Sequence, residues 1–430
     1  LISFKLNILK HLLLIKWQRF RYKGKWDVLR EKKWVRQQNI LKKSRFYSSL
    51  AARNAPLNAY PRMDKAQFME NFNAINTIGI VLEEAFHVTE QAEKSRNFSP
   101  TINHITVGLS SGTSGNRGVF LASSKERAQW VAAILDRVIG ISFRKRSVAF
   151  FLRANSNLYD SVKSRVLRFE FFDLLSDLNE HIERLNVLQP NILVAQPSML
   201  IELARAVENH DLQFMPEKII SVAEVLYKED KLYLETVFAQ KIHQVYQCTE
   251  GFLASTCKYG TLHFHEDFFI IEKRYLDAES KRFHPVITDL ERSSQPVIRY
   301  ELNDLIIEKE NCSCGSDWLA IEAIEGRSDD LLIFEDTTGN SKKIFPDFFR
   351  RAVILASSEV RNYEVIQVAK NQLEVFIEGS DDAYASVRLG IIELLLQQNV
   401  ENIRIDRIKS PKTVKGNKLR RIRNEFKATP

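Results

Sequence analysis

At 430 residues the chain is long for one hydrophobic core, so two or three domains are expected. A hydrophobic fraction of 44% and a charged fraction of 27% exclude a disordered or fibrous class and describe an ordinary soluble globular protein. The net charge of +8 is modest for this length, and four cysteines do not make a disulfide framework.

Much of the charge sits in the first 43 residues, where 13 Lys and Arg face only Asp27 and Glu31. No zinc-finger, helix-turn-helix or RNA-binding signature accompanies them, so no nucleic-acid partner is expected. In "LISFKLNILKHLLLIKWQRFRYKGKW" the apolar runs are broken by Lys5, Lys10 and Lys16, too often for a membrane span and without a small-residue cleavage site. Leu6, Leu9 and Leu13, with Lys10, suit an amphipathic helix packed on its own protein, while the aromatic and basic mixture keeps membrane-surface contact open. The absence of a secretion signal points to the cytoplasm. Residues 30–100 read as helical and irregular, punctuated by Pro56, Pro61 and Pro100.

From about residue 104 short apolar runs alternate with helical periodicity. "HITVGL" reads as a strand leading into "SSGTSGNRG", where three of the chain's 15 glycines fall within seven positions. Ser123 and Glu126 form a capping box for a helix with Ala128, Val131, Ala132, Leu135, Val138 and Ile139 on its apolar side. Strands follow at 147–152, 191–196, 218–226 and 244–248, with helices at 176–188, 197–207 and 228–239. This alternation predicts a mostly parallel α/β sheet whose ligands lie beyond the carboxyl ends of the strands, where "SSGTSG", "AEVL" and "CTEG" fall. Residues 261–310 turn strand-rich, and after Gly326 the tail reads as a small α+β unit.

The glycine loop, read as joining a strand to a helix, offers backbone N–H groups and hydroxyls to phosphate oxygens. It is neither the P-loop of NTPases nor the dinucleotide fingerprint. "YQCTEG" places Thr249 and Glu250 at a strand end, where Glu250 can hold a divalent ion bridging nucleotide phosphates. "IRYELNDL" offers Asp304 and "EGRSDD" offers Arg327, both suited to ribose hydroxyls. "SPKTVKGNKLRR" carries Lys418 in a basic loop. Each alone has a plainer explanation as a turn, a surface ion pair or a solvated charge.

In this order the motifs resemble the acyl-adenylate-forming (ANL) superfamily. The resemblance covers roughly residues 46–430 and is nearest the phenylacetate–CoA ligase branch, with the related synthetases that transfer AMP to a deazaflavin coenzyme. It implies a basic helical extension over 1–45, a large ATP- and acid-binding domain over 46–328 with mostly parallel sheets and a strand-rich subdomain, and a small mobile α+β lid over 329–430. It implies that a carboxylate attacks the α-phosphate of ATP, giving acyl-AMP and pyrophosphate, and that an acceptor then displaces AMP. Ser110, Ser111, Gly112, Thr113, Ser114 and Gly115 would cradle the pyrophosphate end. Thr249 would contact the α-phosphate, Glu250 would hold Mg²⁺, and Asp304 and Arg327 would hold the ribose. Ala223 and Glu224 would line the adenine pocket, Asp329 would be the hinge, and Lys418 the lysine of the adenylation step. Two departures stand out: Asn116-Arg117 replaces the usual Pro-Lys, and Asn417 separates Gly416 from Lys418. Lys415 thus competes for the catalytic role, and "KLRR" favours Lys418.

Cys312 and Cys314 form a Cys-x-Cys-Gly knuckle, with Cys257, His263 and His265 upstream. Three thiolates and one imidazole make a tetrahedral zinc set, with buried reduced thiols as the alternative. The branch carries a similar pattern, which selects His263 over His265 beside Cys257, Cys312 and Cys314. Cys248 reads as a packed small residue. The acid pocket is expected near 150–159, 196–198, Ala223 and Tyr246, apolar enough for an aryl or hydrophobic acid. CoA is the first expected acceptor; a carrier-protein thiol, an amine or AMP transfer to a non-carboxylate acceptor stay open. So do a homodimer and a non-catalytic nucleotide-binding or interaction protein on the same fold.

Overall fold

The computed structural model describes residues 2–95, 100–110, 117–142, 144–152, 167–277, 281–327, 330–357, 359–413 and 419–426. Ser111, Gly112, Thr113, Ser114, Gly115, Asn116, Asp329, Lys415, Lys418 and residues 153–159 therefore lie outside the described residues. The chain divides into two compact units, Leu1–Leu302 with Ile306–Ala323, and Asn303–Leu305 with Ile324–Pro430.

The first unit opens with helices α1 (Ile2–Tyr22) and α2 (Trp26–Leu41). Short helices α3 (Ser48–Ala52), α4 (Lys65–Glu70) and α5 (Phe72–Ile75) follow, then α6 (Leu82–Ser95). Strands β1 (Thr101–Ile102), β2 (Ile105–Leu109) and β3 (Val119–Ala122) form an antiparallel sheet. Gly108 faces Phe120 across it, and a Cβ there would lie 2.2 Å from the ring. The glycine loop therefore joins two antiparallel strands, not a strand to a helix. The helix α7 (Ser124–Ile134) begins only after β3, with the Ser123–Glu126 capping box formed.

Helix α1 packs on α7, with Ile8, His11, Ile15, Gln18 and Tyr22 buried. Lys16 and Arg19 both reach the Asp136 carboxylate, at 3.3 and 2.5 Å. Leu6, Leu9 and Leu13, expected to form the packed face, lie on the outer one and are 60%, 50% and 59% exposed. Both faces of this helix are apolar, and the ion pairs to Asp136 help to set which one packs. Among the described residues, no helix is long and apolar enough to cross a membrane.

Strands β4 (Arg146–Leu152), β5 (Leu167–Asp173), β6 (Ile192–Ala195), β7 (Lys218–Ser221) and β8 (Ile242–Cys248) pair in parallel in the order β5-β4-β6-β7-β8. Helices α8 (Leu178–Leu188), α9 (Pro197–Glu208) and α10 (Lys228–Val237) alternate with them. Every residue of β6 is buried, as a strand covered on both faces requires. Beyond β8 the same sheet becomes antiparallel through β9 (Gly251–Thr256) and β10 (Leu262–Phe264). It continues with β11 (Phe269–Asp277), β12 (Arg282–Asp289), β13 (Tyr300–Glu301), β14 (Asp304–Lys309) and β15 (Ala320–Arg327). This antiparallel part is the strand-rich region expected after residue 261.

In the second unit β16 (Leu332–Glu335) and β17 (Ser341–Ile344) form a hairpin. Helices α11 (Pro346–Ala356) and α12 (Asp381–Gln397) accompany a four-stranded sheet. Its strands β18 (Asn362–Ala369), β19 (Gln372–Glu378), β20 (Arg404–Arg407) and β21 (Ile422–Asn424) run in the order β20-β19-β18-β21. Phe334, Phe349, Val365, Val375 and Ile391 form its core.

The segment Asp289–Gln295 is gripped from several sides of the first unit. Lys33 and Arg36 of α2 each hold Glu291 at 2.5 Å. Gln37 donates to the Arg292 carbonyl at 2.7 Å, and the Thr77 hydroxyl donates to that of Ser293 at 2.6 Å. Glu126 of α7 accepts from the Ser293 and Ser294 amides at 2.6 and 2.9 Å. Burial opposes the Glu291 charge, but Lys33 and Arg36 outweigh it and bring the carboxyl down to about 2 from 4.5. Its stabilisation is therefore complete above pH 4.5 and lost as the pH falls toward 2. Chemical denaturation across that window should show about 3 kcal/mol lost in the wild type. Glu291→Gln should start lower at neutral pH, with that part of the dependence flattened.

Candidate functional site

Strands β8 and β9 form a hairpin whose tip is Thr249-Glu250, because Cys248 pairs with Gly251. The tip therefore sits where the sheet changes from parallel to antiparallel. The Thr249 hydroxyl donates to the Glu250 carboxylate at 2.9 Å. Tyr300, almost fully buried, also hydrogen-bonds Glu250. Burial raises the Tyr300 phenol above its ordinary range, and the Glu250 charge and hydrogen bond add to this, so the tyrosine stays protonated.

The stems of the glycine loop close on each other. The Ser110 amide donates to the Gly118 carbonyl at 2.7 Å, and the Gly118 amide donates to the Ser110 hydroxyl at 2.7 Å. The Lys65 ammonium donates to the same hydroxyl at 3.0 Å. A Cβ at residue 118 would lie 3.0 Å from Lys65 Cε, so glycine there permits the lysine's approach. Lys65 opens α4, whose start is fixed by a capping box between Asp64 and Gln67. The preceding Met63 is stapled to the Tyr300 strand by backbone hydrogen bonds with Arg299 and Glu301, at 3.2 and 2.8 Å. Phe68 stacks edge-on against Tyr300 at 5.2 Å.

Arg292 joins the two halves. Its Nη1 donates to the Thr249 and Glu250 carbonyls at 2.9 and 3.1 Å, and its Nη2 donates to the Leu121 carbonyl of β3 at 3.2 Å. Gln295 completes the clamp, accepting from the Leu121 amide at 3.0 Å and donating to the Val119 carbonyl at 3.1 Å. The result is a small recess, open to solvent, with Lys65, Gly118, Thr249, Glu250, Arg292 and Tyr300 among its lining. A lysine, a carboxylate and a glycine-loop stem around one recess suit a phosphate chain and its metal counter-ion.

At the ends of β6 and β7, Glu224 accepts from the Ser198 amide at 3.2 Å, near the N-terminus of α9. Ala223 beside it has a φ of 69°, a conformation that costs a non-glycine residue and is concentrated at functional sites. Tyr246 is buried in β8. In the second unit Asp304 and Arg327 form an ion pair at 3.5 Å. There Glu364, fully buried, accepts from the Lys412 and Thr413 amides at 3.0 Å each and from Arg423 at 3.2 Å. It thereby ties both flanks of the segment that contains Lys415 and Lys418. Lys65, Arg292, Gln295, Tyr300 and Glu364 were not singled out by sequence. The Asp-x-x-Gln capping box before Phe68 is the one local signal, and it locates Lys65 without saying what the lysine faces.

The cysteine cluster assembles in the first unit. The ligand atoms of Cys257, His263, Cys312 and Cys314 lie within 4.8 Å of one another, an arrangement that could hold a metal ion. Cys257 and Cys312 sulfurs are 3.7 Å apart, and Cys314 lies 3.4 Å from His263 Nε2. His263 Nδ1 meets the Trp318 carbonyl at 3.1 Å, which leaves Nε2 as the ligand atom. His265 spends both ring nitrogens elsewhere, on Phe252 and Ser255, at 2.9 Å each. Desolvation works against the Cys312 thiolate. Hydrogen bonds from the Cys314 backbone, Thr261 and His263 nonetheless hold that thiol below its ordinary range. The donor set suits a closed tetrahedral site.

No protein-family model matches the chain. Among curated proteins, indoleacetate–lysine synthetase of Pseudomonas savastanoi is 23% identical over 237 residues, covering 50% of this chain and 56% of that protein. The match thus spans little more than half of the relative's length. Among solved structures, 2-hydroxyisobutyryl-CoA ligase in its postadenylation state with R3-HIB-AMP superposes with a TM-score of 0.64, at 16% identity over 97% of this chain and 89% of that one. Anthranilate CoA ligase with anthranoyl-AMP gives 0.51, at 13% identity over 74% and 67% of the two chains. The amide bond synthetase McbA of Marinactinospora thermotolerans gives 0.52, at 14% identity over 73% and 68%. The chain has the fold of the acyl-adenylate-forming superfamily, and its mixed α/β architecture is the one expected from the sequence.

Arg292→Lys keeps the charge but removes the planar fork that serves two strands at once. It should lower unfolding stability by about 2–3 kcal/mol in denaturant titration. An unchanged midpoint would show that the clamp is not needed.

Proposed function

We propose that the chain is an ATP-dependent, AMP-forming ligase that activates a carboxylic acid as acyl-AMP, releases pyrophosphate and transfers the acyl group to CoA. One observation carries the reading: the pocket that joins the glycine-loop stem, Lys65 and the Thr249-Glu250 tip. The loop from Ser110 to Gly115 cradles the pyrophosphate end, helped by Lys65. Thr249 binds the α-phosphate, and Glu250 holds Mg²⁺, which offsets phosphate charge. Asp304 and Arg327 take the ribose, and Ala223 and Glu224 border the adenine. The unit beginning near residue 324 serves as the lid, hinged at Asp329. It brings in Lys418 for adenylation, with Glu364 holding the flanks of its loop. The chemistry is positioning and charge neutralisation, as two anions must meet.

An aryl or hydrophobic acid is the proposed substrate. The buried Tyr246 and the names of two similar proteins, which specify indoleacetate and anthranilate, support it. An amine acceptor is the second reading, favoured because the curated relative's name pairs its acid with lysine and a structural neighbour is an amide bond synthetase. The Cys257, His263, Cys312 and Cys314 set is proposed to hold a structural Zn²⁺ that pins β9, β10 and the 312–318 turn beside the hairpin.

ATP–pyrophosphate exchange over a panel of aromatic and fatty acids tests the reading. Lys418→Ala should reduce exchange about 100-fold or more, and Glu250→Gln and Lys65→Ala about tenfold or more. Lys415→Ala should remain active. Absence of exchange with every acid, alongside intact MgATP binding, would favour a nucleotide-binding protein instead. Elemental analysis should find one zinc per chain, lost in Cys314→Ser together with thermal stability; metal-free native protein would reject the zinc assignment.

A further inference from the structure

Helix α1 carries two apolar faces, and among the described residues only one is used in packing. The buried face runs through Ile8, His11, Ile15, Gln18 and Tyr22. The outer face carries Leu6, Leu9, Leu13, Trp17 and Phe20, the last two 54% and 87% exposed. At 3.6 residues per turn these five side chains share one stripe, an arc of roughly 80°. Exposed large apolar residues are ordinary when scattered, but five in one stripe along a helix are not.

The charges around the stripe are one-sided. The helix contains Lys5, Lys10, Lys16, Arg19 and Arg21 and no Asp or Glu. Lys5 borders the stripe on one flank, and Lys10 and Arg21 border it on the other, each within roughly 80° of its midline at this helical pitch. Arg19, with Lys16, turns toward Asp136 and fixes the rotation of the helix on α7. The outer face is thus held outward by packing on the opposite side and by the ion pairs to Asp136.

We infer that this face of α1 docks on an anionic lipid surface, with the stripe entering the headgroup–acyl boundary and the flanking cations meeting lipid phosphates and carboxylates. The pattern is that of an interfacial helix: apolar and aromatic side chains in the plane, long basic side chains along both edges. A second copy of the chain fits less well. Two such stripes laid together would set cations against cations, with no acid on either helix to pair them. Each cation near an anionic surface adds to binding, and the contribution falls with salt.

The test is co-sedimentation of the full chain with vesicles of phosphatidylcholine alone and of phosphatidylcholine mixed with phosphatidylserine. The expected result is binding to the mixed vesicles, weakened by salt, with little binding to the neutral ones. Trp17→Ser/Phe20→Ser should lower the partition coefficient about tenfold or more. Its melting temperature should not change, since neither side chain is buried. The Trp17 contribution should shift to the blue on binding, and the shift should be missing in Trp17→Phe. Failure to bind mixed vesicles at low salt, or equal binding by the double variant, would overturn the inference. A concentration-dependent dimer that the double variant dissociates would also overturn it, by assigning the face to a second copy.

Discussion

The arrangement of the first unit turns on one guanidinium. Arg292 spans the β8–β9 hairpin tip and strand β3, two elements separated by more than a hundred residues and belonging to different sheets. That bridge ties the backbone of the Thr249-Glu250 tip directly to β3, beside the longer link that runs from Ser110 through Lys65 and Met63 to Tyr300 and Glu250. The fork geometry matters more than the charge, because two directions must be served by one rigid plane. Its own position is secured by the gripped segment on either side of it: Glu291 held by Lys33 and Arg36, and Ser293 and Ser294 held by Glu126. Helices α2 and α7, neither of which contributes a side chain to the pocket lining, thereby determine where the pocket lies.

The second unit uses the same device on a smaller scale. A buried carboxylate, Glu364, accepts from two backbone amides and one arginine, and fixes both flanks of a basic segment. In both units a charged side chain is desolvated only because several donors or acceptors converge on it. Such clusters are costly to assemble, and breaking one member leaves the others unpaired.

Much of the architecture was legible because its causes are local. The parallel strands announce themselves as short apolar runs between amphipathic helices, and the Ser123–Glu126 box marks the start of α7. Thr249, Glu250, Asp304, Arg327 and the cysteine set were legible as motifs, and the structure brings Thr249 and Glu250, Asp304 and Arg327, and the four metal-type ligands together within their groups. Other features were not legible, for identifiable reasons. Strand β3 is only four residues long and abuts the α7 cap, so "GVFLA" reads as a lead-in to the helix. Leu6, Leu9 and Leu13 have helical spacing, but so do Ile8, His11 and Ile15, and only the contact with α7 and Asp136 breaks the tie. Lys65 lies 45 residues from its partner Ser110 and Arg292 lies 171 from Leu121, so no window of sequence contains either pair.

The central claim is that Arg292 makes the glycine-loop stem and the hairpin tip into one anion site. Amide hydrogen exchange of the full chain, with and without MgATP, tests it most directly. The account predicts that MgATP protects residues 105–122 and 244–256 together in the wild type, and that Arg292→Lys loses the protection at both. Protection confined to one segment, or protection of both that survives in the variant, would contradict it.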